Sequence, residues 1–263
     1  MAQSDPFLRE TRFCNFSHPT LQHLAEELRS AGDDARETAV DAFRLVRDSV
    51  KYEVGNWQRT AAETLARGSG TCTNSSNLLV ALLRSLGIPA GYGVMSVRGR
   101  EYFGPVAPPR LSRFVAPVSK HVYAYVQLDG AWLRCDPSDD EALSLGSRHL
   151  NPQSEVVDWD GTGHAMLNLH PDHILEDRGP VADIDAIMRK PMRLAMRVPV
   201  RIGNCYLDFL RQEGARMRTA PEAEEHFQRW LLHRYPVYGR IYRALPSGAP
   251  HAPQAPQAEP AAP

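Results

Sequence analysis

The chain has no Cys-x-x-Cys pair. Its four cysteines, Cys14, Cys72, Cys135 and Cys205, are scattered, so a zinc site is not suggested and no metal is expected. It has almost no net charge: at −1 nothing draws it to nucleic acid or to an anionic membrane. No apolar run approaches the length of a membrane span. The first residues, Met1 to Pro6, lack the basic flank and apolar stretch of a secretory signal, so none is expected. A cytoplasmic protein with free thiols is the expectation. There is no internal repeat. The sequence does have 263 residues, 43% of them hydrophobic, enough for a sizeable core in one large domain or two small ones.

The most informative stretch runs from Gly68 to Pro89. Gly68-Ser69-Gly70-Thr71 is a small-residue turn, and Ser69 or Thr71 is suited to cap a helix. Leu78, Leu79, Leu82, Leu83 and Leu86 then recur at helical spacing, and Gly87 and Pro89 end the helix. Cys72 thus falls in the first turn of a buried helix, where the dipole favours the thiolate. A buried structural thiol is the competing reading, and other parts of the chain must decide.

Upstream, Thr20–Ser30 and Ala35–Val50 read as two amphipathic helices, with a break and cap at Gly32-Asp33-Asp34. Residues 1–18 read as an extended arm with an incidental Cys14. Lys51–Trp57 reads as an irregular link, and Thr60 to Glu63 opens a further helix with a capping box. Downstream, Ala90–Val97 is strand-like. Residues 98–120 carry Pro105, Pro108, Pro109 and Pro117 among Arg98, Arg100, Arg110, Arg113 and Lys120. This is a basic loop near the site or a surface excursion, and the sequence leaves both open.

The second informative stretch is His121–Leu128, Asp129-Gly130, Ala131–Ser138. Asp-Gly between alternating runs signals a two-residue hairpin. Leu128 then faces Ala131, Val126 faces Leu133 and Ala124 faces Cys135, which points Cys135 into the core. His121 and Asp136 fall on the opposite face, one diagonal step apart, roughly 7–8 Å between backbones and within side-chain reach. A one-residue slip would separate them. Cys72, His121 and Asp136 form a candidate triad: a thiolate to attack an acyl carbon, an imidazole to carry the proton, and a buried carboxylate to orient it. The Cys72 amide, at a helix N-terminus, is placed to stabilise an oxyanion.

These residues resemble the transglutaminase-like superfamily, in its bacterial type with a papain-like Cys-His-Asp triad. The likeness rests on Gly70-Thr71-Cys72 with its Leu-rich helix and Leu86-Gly87-Ile88-Pro89-Ala90. It rests also on His121 before a hairpin with Asp129-Gly130 and Trp132, and on Asp136-Pro137-Ser138. Val46-Arg47-Asp48 and Lys51-Tyr52 are similar too, and about residues 35–140 are covered. The resemblance implies an α+β fold in which the nucleophile helix packs against an antiparallel sheet. Many members have His-Ala-Trp where this chain has His121-Val122-Tyr123, and Ile-Pro-Ala-Arg where it has Ile88-Pro89-Ala90-Gly91. The superfamily includes cross-linking enzymes, cysteine peptidases, peptide N-glycanases and amide synthases. It implies cysteine-dependent acyl transfer or amide hydrolysis, with no cofactor. The acyl donor would be a glutamine of a peptide or protein, another amide, or a carrier-protein thioester, and the acceptor an amine or water. A non-catalytic binding or scaffold module with the same fold is the alternative. Trp57, Tyr123, Arg110 and Arg113 are candidate substrate contacts, although Trp57 is too close to Cys72 in sequence to match the oxyanion tryptophan of animal transglutaminases.

On this reading residues 1–34 are an arm and helix, 35–150 the catalytic core, 151–244 a partly helical extension packed on it, and 245–263 a disordered Pro/Ala tail. In the extension His164, His170 and His173 lack zinc spacing. Arg189, Lys190, Arg193, Arg197 and Arg201 read as a solvated face interrupted by Pro191 and Pro199. Helices are expected at Ile202–Leu210, burying Cys205, and at 221–233.

Overall fold

α1 (Pro19–Ala31) and α2 (Ala35–Ser49) form where the apolar spacing puts them. The computed structural model describes residues 5–31, 34–104, 107–138, 140–150 and 156–247. Gly32, Asp33 and the tail from 248 lie outside those residues. Asp34 caps α2, accepting from the Arg36 amide at 3.2 Å. The link after α2 is more regular than expected. β1 (Lys51–Tyr52) pairs in parallel with β2 (Ser69–Gly70) around α3 (Ala61–Arg67). Thr60 and Glu63 cap α3 reciprocally, at 3.2 and 2.8 Å. The left-handed Gly68, at φ 65°, ends α3 and starts β2. The turn before Cys72 is therefore held by backbone hydrogen bonds on both sides.

α4 (Cys72–Ser85) is buried at every residue from Cys72 to Arg84. Helices α1 to α3 pack on it, and so do two strands. Its polar groups must find partners inside the protein. Ser76 donates to the Val122 carbonyl at 3.0 Å and Asn77 to that of Phe13 at 2.9 Å. The buried Arg84 guanidinium donates to the carbonyls of Arg9, Ala90 and Ala182. The N-terminal segment is thereby more than an arm: Phe13 and Cys14 are core residues, and Arg84 ties the segment to α4. Left-handed Gly87, at φ 79°, stops the helix.

The sheet follows as β3 (Ala90–Arg98), β4 (Val118–Leu128), β5 (Ala131–Cys135) and β6 (Ile174–Val181), with α5 (Gly99–Phe103) between β3 and β4 and α6 (Glu141–Gly146) after β5. All neighbours are antiparallel, in the order β5-β4-β3-β6. The hairpin register is the expected one, with Ala124 opposite Cys135. Asp129 and Gly130 both have positive φ, 50° and 78°, as a two-residue turn requires. One face of the sheet, with Tyr92, Val94, Val122, Ala124 and Val126, joins the α4 core. The other carries Met95, Val97, Tyr123 and Tyr125. A mixed helix-and-sheet fold with the Cys72 helix packed on an antiparallel sheet is thus present.

Three expectations are corrected. Residues 98–120 are not a structureless loop: they hold α5, a 3-10 turn (Pro109–Phe114) and the start of β4. The fourth strand, β6, comes from the extension, which is expected to be partly helical and in which no strand is expected. It is an exposed edge strand, so it needs no apolar alternation to announce it. Helix α8 (Arg197–Glu213), which follows α7 (Asp185–Met188), starts ahead of Ile202. Pro199 falls in its first turn, where a missing N–H costs nothing.

α9 (Ala220–Arg234) and α10 (Pro236–Ala244) complete a second core with α8, rich in aromatics such as Tyr206, Phe209, Phe227 and Tyr242. Asp140 joins this core to β1. It caps α6, accepts from the Tyr52 amide at 3.1 Å, and pairs with Arg211 at 2.7 Å. Among the described residues no helix is long and apolar enough to cross a membrane.

Gly93 sets up the site-bearing face. An added Cβ there would lie 2.0 Å from the Tyr123 ring. Gly93→Ala is expected to lower stability by about 1–3 kcal/mol. Gly163→Ala, with open space around it, should change it by less than about 0.5 kcal/mol. Urea unfolding of both variants checks the contrast.

Candidate active site

Cys72 is the first residue of α4, and Thr71 is its N-cap. Asn74 fixes this turn. Its side-chain oxygen accepts from the Thr71 amide and hydroxyl, both at 3.0 Å, and its amide donates to the Trp57 carbonyl at 3.0 Å. Gly70 is needed for this cap, because a Cβ there would lie 2.6 Å from Asn74 Cβ. The Cys72 and Thr73 amides, in the first turn, have no acceptor within the helix.

His121 sits on β4 and Asp136 just past the end of β5. The structure brings them together: His121 Nε2 lies 2.6 Å from Asp136 Oδ2, with the two side chains 1% and 0% exposed. The other Asp136 oxygen accepts from the Ser138 amide at 3.2 Å and its hydroxyl at 2.5 Å. The carboxylate is thereby fixed from behind. Burial alone would lower the His121 pKa. The charges of Asp136 and Cys72, and hydrogen bonds with both, overcome it and raise the pKa well above the ordinary value. The Cys72 sulfur is thus close enough to act on the imidazole both as a charge and as a hydrogen-bond partner. An imidazolium beside a thiol favours the thiolate.

The other three cysteines have no such neighbour. Burial pushes the thiols of Cys14 and Cys205 up to about 11, and that of Cys135 also upward. Such thiols are poor nucleophiles.

Tyr102, on α5, was not legible in the sequence. Its hydroxyl is 3.2 Å from His121 Nδ1, and the two rings lie 5.5 Å apart. With Nε2 turned to Asp136, Nδ1 is the nitrogen left for Cys72. The phenol and the thiol therefore meet at the same side of the ring. Leu111, on the Pro109–Phe114 turn, belongs to the same buried cluster as Cys72.

The remaining candidates are distributed differently. Tyr123 is fully buried, stacked on His121 at 6.3 Å, with its hydroxyl on Asp177 at 2.7 Å. Its position supports the imidazole and does not offer it to a substrate. Arg110 is turned to the C-terminal helices. It faces Glu224 at 3.4 Å and the Arg243 carbonyl at 3.3 Å, and lies over the Tyr242 ring. Arg113 lies over Phe114. Trp57 is half-buried, and its indole N–H, like the Ser75 hydroxyl, is buried with no partner among the described residues. His164 accepts from the Arg134 amide at 3.0 Å, and His170 and His173 pack together at 5.2 Å.

Residues 22–137 match the family model of the transglutaminase-like superfamily. Among solved structures, one titled "Putative Cysteine Protease", from Cytophaga hutchinsonii, is similar at 24% identity and a TM-score of 0.38. The match covers 51% of this chain and 41% of that one, so it spans well under half of that protein's length. No curated protein matches the chain.

The Asp136 charge raises the His121 pKa, so Asp136→Asn is expected to lower it, as read by NMR titration of the imidazole. A raised folded-state pKa adds stability below the unfolded value, about 6.5, and that stability is lost as pH rises through the folded value. The stability gap between wild type and Asp136→Asn should therefore narrow as pH rises from about 6. A phenol that accepts from the protonated Nδ1 favours the imidazolium. Tyr102→Phe is expected to lower the His121 pKa, and to slow alkylation of Cys72 by iodoacetamide at neutral pH by about threefold.

Proposed function

We propose that this protein is a cysteine-dependent acyl transferase or amide hydrolase. The observation that carries this reading is the buried 2.6 Å contact between His121 and Asp136 on an imidazole that also feels the Cys72 sulfur. Cys72 sulfur attacks the acyl carbon of an amide or thioester, and His121 holds the thiol proton. Negative charge develops on the acyl oxygen. The Cys72 amide, at the N-terminus of α4, stabilises it. The carbon–nitrogen or carbon–sulfur bond then breaks, and His121 passes its proton to the departing amine or thiol. Water or an amine attacks the acyl-enzyme, with His121 taking its proton, and Cys72 is released. Water gives a carboxylic acid and an amine gives a new amide. Asp136 keeps the ring oriented and stabilises its cation throughout.

The donor fits the classes the resemblance implies: a peptide or protein glutamine, another amide, or a carrier-protein thioester. One observation favours the alternative, a non-catalytic module. Cys72 is 6% exposed and its two partners less, so a substrate reaches Cys72 only if its surroundings shift. Covalent labelling separates the two readings. Incubation with small acyl thioesters should add one acyl mass at Cys72, detected by intact mass spectrometry. Cys72→Ala should take no label, and His121→Ala should react at least about a hundredfold more slowly. Undiminished acylation of Cys72→Ala would falsify the nucleophile assignment.

A further inference from the structure

The stretch from Arg189 to Arg201 carries a charged strip whose side chains the fold hardly uses. Arg189, Lys190, Arg193, Arg197 and Arg201 are all exposed. Arg189 reaches Asp185 at 3.6 Å. The other four make no ion pair among the described residues. Leu194 and Val198 stand among them, 71% and 42% exposed. The first turn of α8 holds no acidic residue, so Arg197, the first residue of the helix, sits where the dipole disfavours a cation. The fold gains nothing from placing it there.

The strip also borders the Cys72 site. Gln58 donates to the Arg189 carbonyl at 2.9 Å. An added Cβ at Gly55 would lie 2.7 Å from Val200, so the loop before α3 and the start of α8 are in close contact. That loop carries Trp57, whose carbonyl holds Asn74 in the Cys72 turn. Ile202 and Cys205 share a cluster with Cys72 itself.

We propose that this strip is a docking surface for an acidic, amphipathic protein segment that presents the acyl donor to Cys72. The carboxylates of such a segment answer the unpaired arginines, and its apolar side chains answer Leu194 and Val198. The donor role rests on the acyl-transfer reading; the docking itself does not. The chemistry singles out a protein with acidic residues and aliphatic residues along one helical face. An anionic bilayer is the competing partner.

The full chain is titrated into a fluorescent Glu/Leu amphipathic peptide, into its Glu→Gln counterpart, and onto phosphatidylglycerol–phosphatidylcholine vesicles. The acidic peptide is expected to bind at least about tenfold more tightly than the neutral one at low salt, with the advantage lost at high salt. An Arg193→Glu, Arg197→Glu variant, checked for fold by circular dichroism, should lose that preference. Leu194→Ser should weaken binding without abolishing its salt dependence. Equal binding of the two peptides, an unchanged preference in the charge-reversed variant, or binding to vesicles alone would overturn the proposal. Iodoacetamide labelling of Cys72 runs in parallel. Its failure would sink the acyl-transfer reading and leave the docking result standing on its own.

Discussion

The structure depends on one constraint: α4 is buried from Cys72 to Arg84. The polar groups of a helix so placed must look for partners inside the protein, and among the described residues the Ser75 hydroxyl is an exception. That demand explains why Asn74 bonds the Thr71 turn and the Trp57 carbonyl, and why Asn77 reaches Phe13. It explains why the Arg84 guanidinium gathers three carbonyls from three distant segments. Each of these bonds also fixes a neighbour of the site. Phe13 brings in the N-terminal segment, Ser76 fixes the backbone of β4 beside His121, and Ala90 and Ala182 set the ends of β3 and β6. The start of α4 is thus immobilised from several directions, and Cys72 is its first residue. The fixed geometry of the Cys72 turn is a consequence of burying the helix.

His121 shows a second balance. Complete burial penalises its charged form, while Asp136 and Cys72 favour it. The charged neighbours win because the Asp136 contact is short and Ser138 holds the carboxylate from the far side. Tyr123 adds a rigid aromatic plane beside the ring. The Tyr123 ring fits there because position 93, opposite it in the register, is glycine. Tyr123, one of the two residues that depart from the His-Ala-Trp pattern, is therefore accommodated by a specific opening in the next strand.

The sequence made the triad pairing legible because a two-residue Asp-Gly turn fixes hairpin register, and register fixes which side chains share a face. The Cys72 helix was legible for a similar reason: its leucine period and its glycine stop are local signals. Tyr102 and Ser138 contact the site through loop geometry, and only Ser138, two residues past Asp136, carried a local signal, the Asp-x-Ser turn. β6 was invisible because an edge strand facing solvent has no apolar alternation to display. Arg110 misled for a different reason. Its place in a proline-rich basic segment looked like a free substrate contact, yet Glu224 and the chain near Arg243, far along the sequence, occupy it. Long-range partners leave no mark on local pattern.

These long-range partners also bear on where specificity resides. The match to the transglutaminase-like core ends at residue 137, but the surroundings of Cys72 do not. Ile202, Cys205 and Tyr206 of α8 pack in the same cluster as Cys72 and Leu111, and the Asp140–Arg211 pair locks α8 to β1. The loop bearing Trp57 is bonded through Val54 to Asn204. Every approach to the nucleophile described by these contacts is therefore bounded in part by residues beyond the shared core. On the proposed reading Cys72, His121 and Asp136 supply only the reacting atoms, and three such side chains cannot by themselves select a substrate. Selection has to come from what surrounds them, and in this chain that surround is built by α5, the Pro109–Phe114 turn and α8.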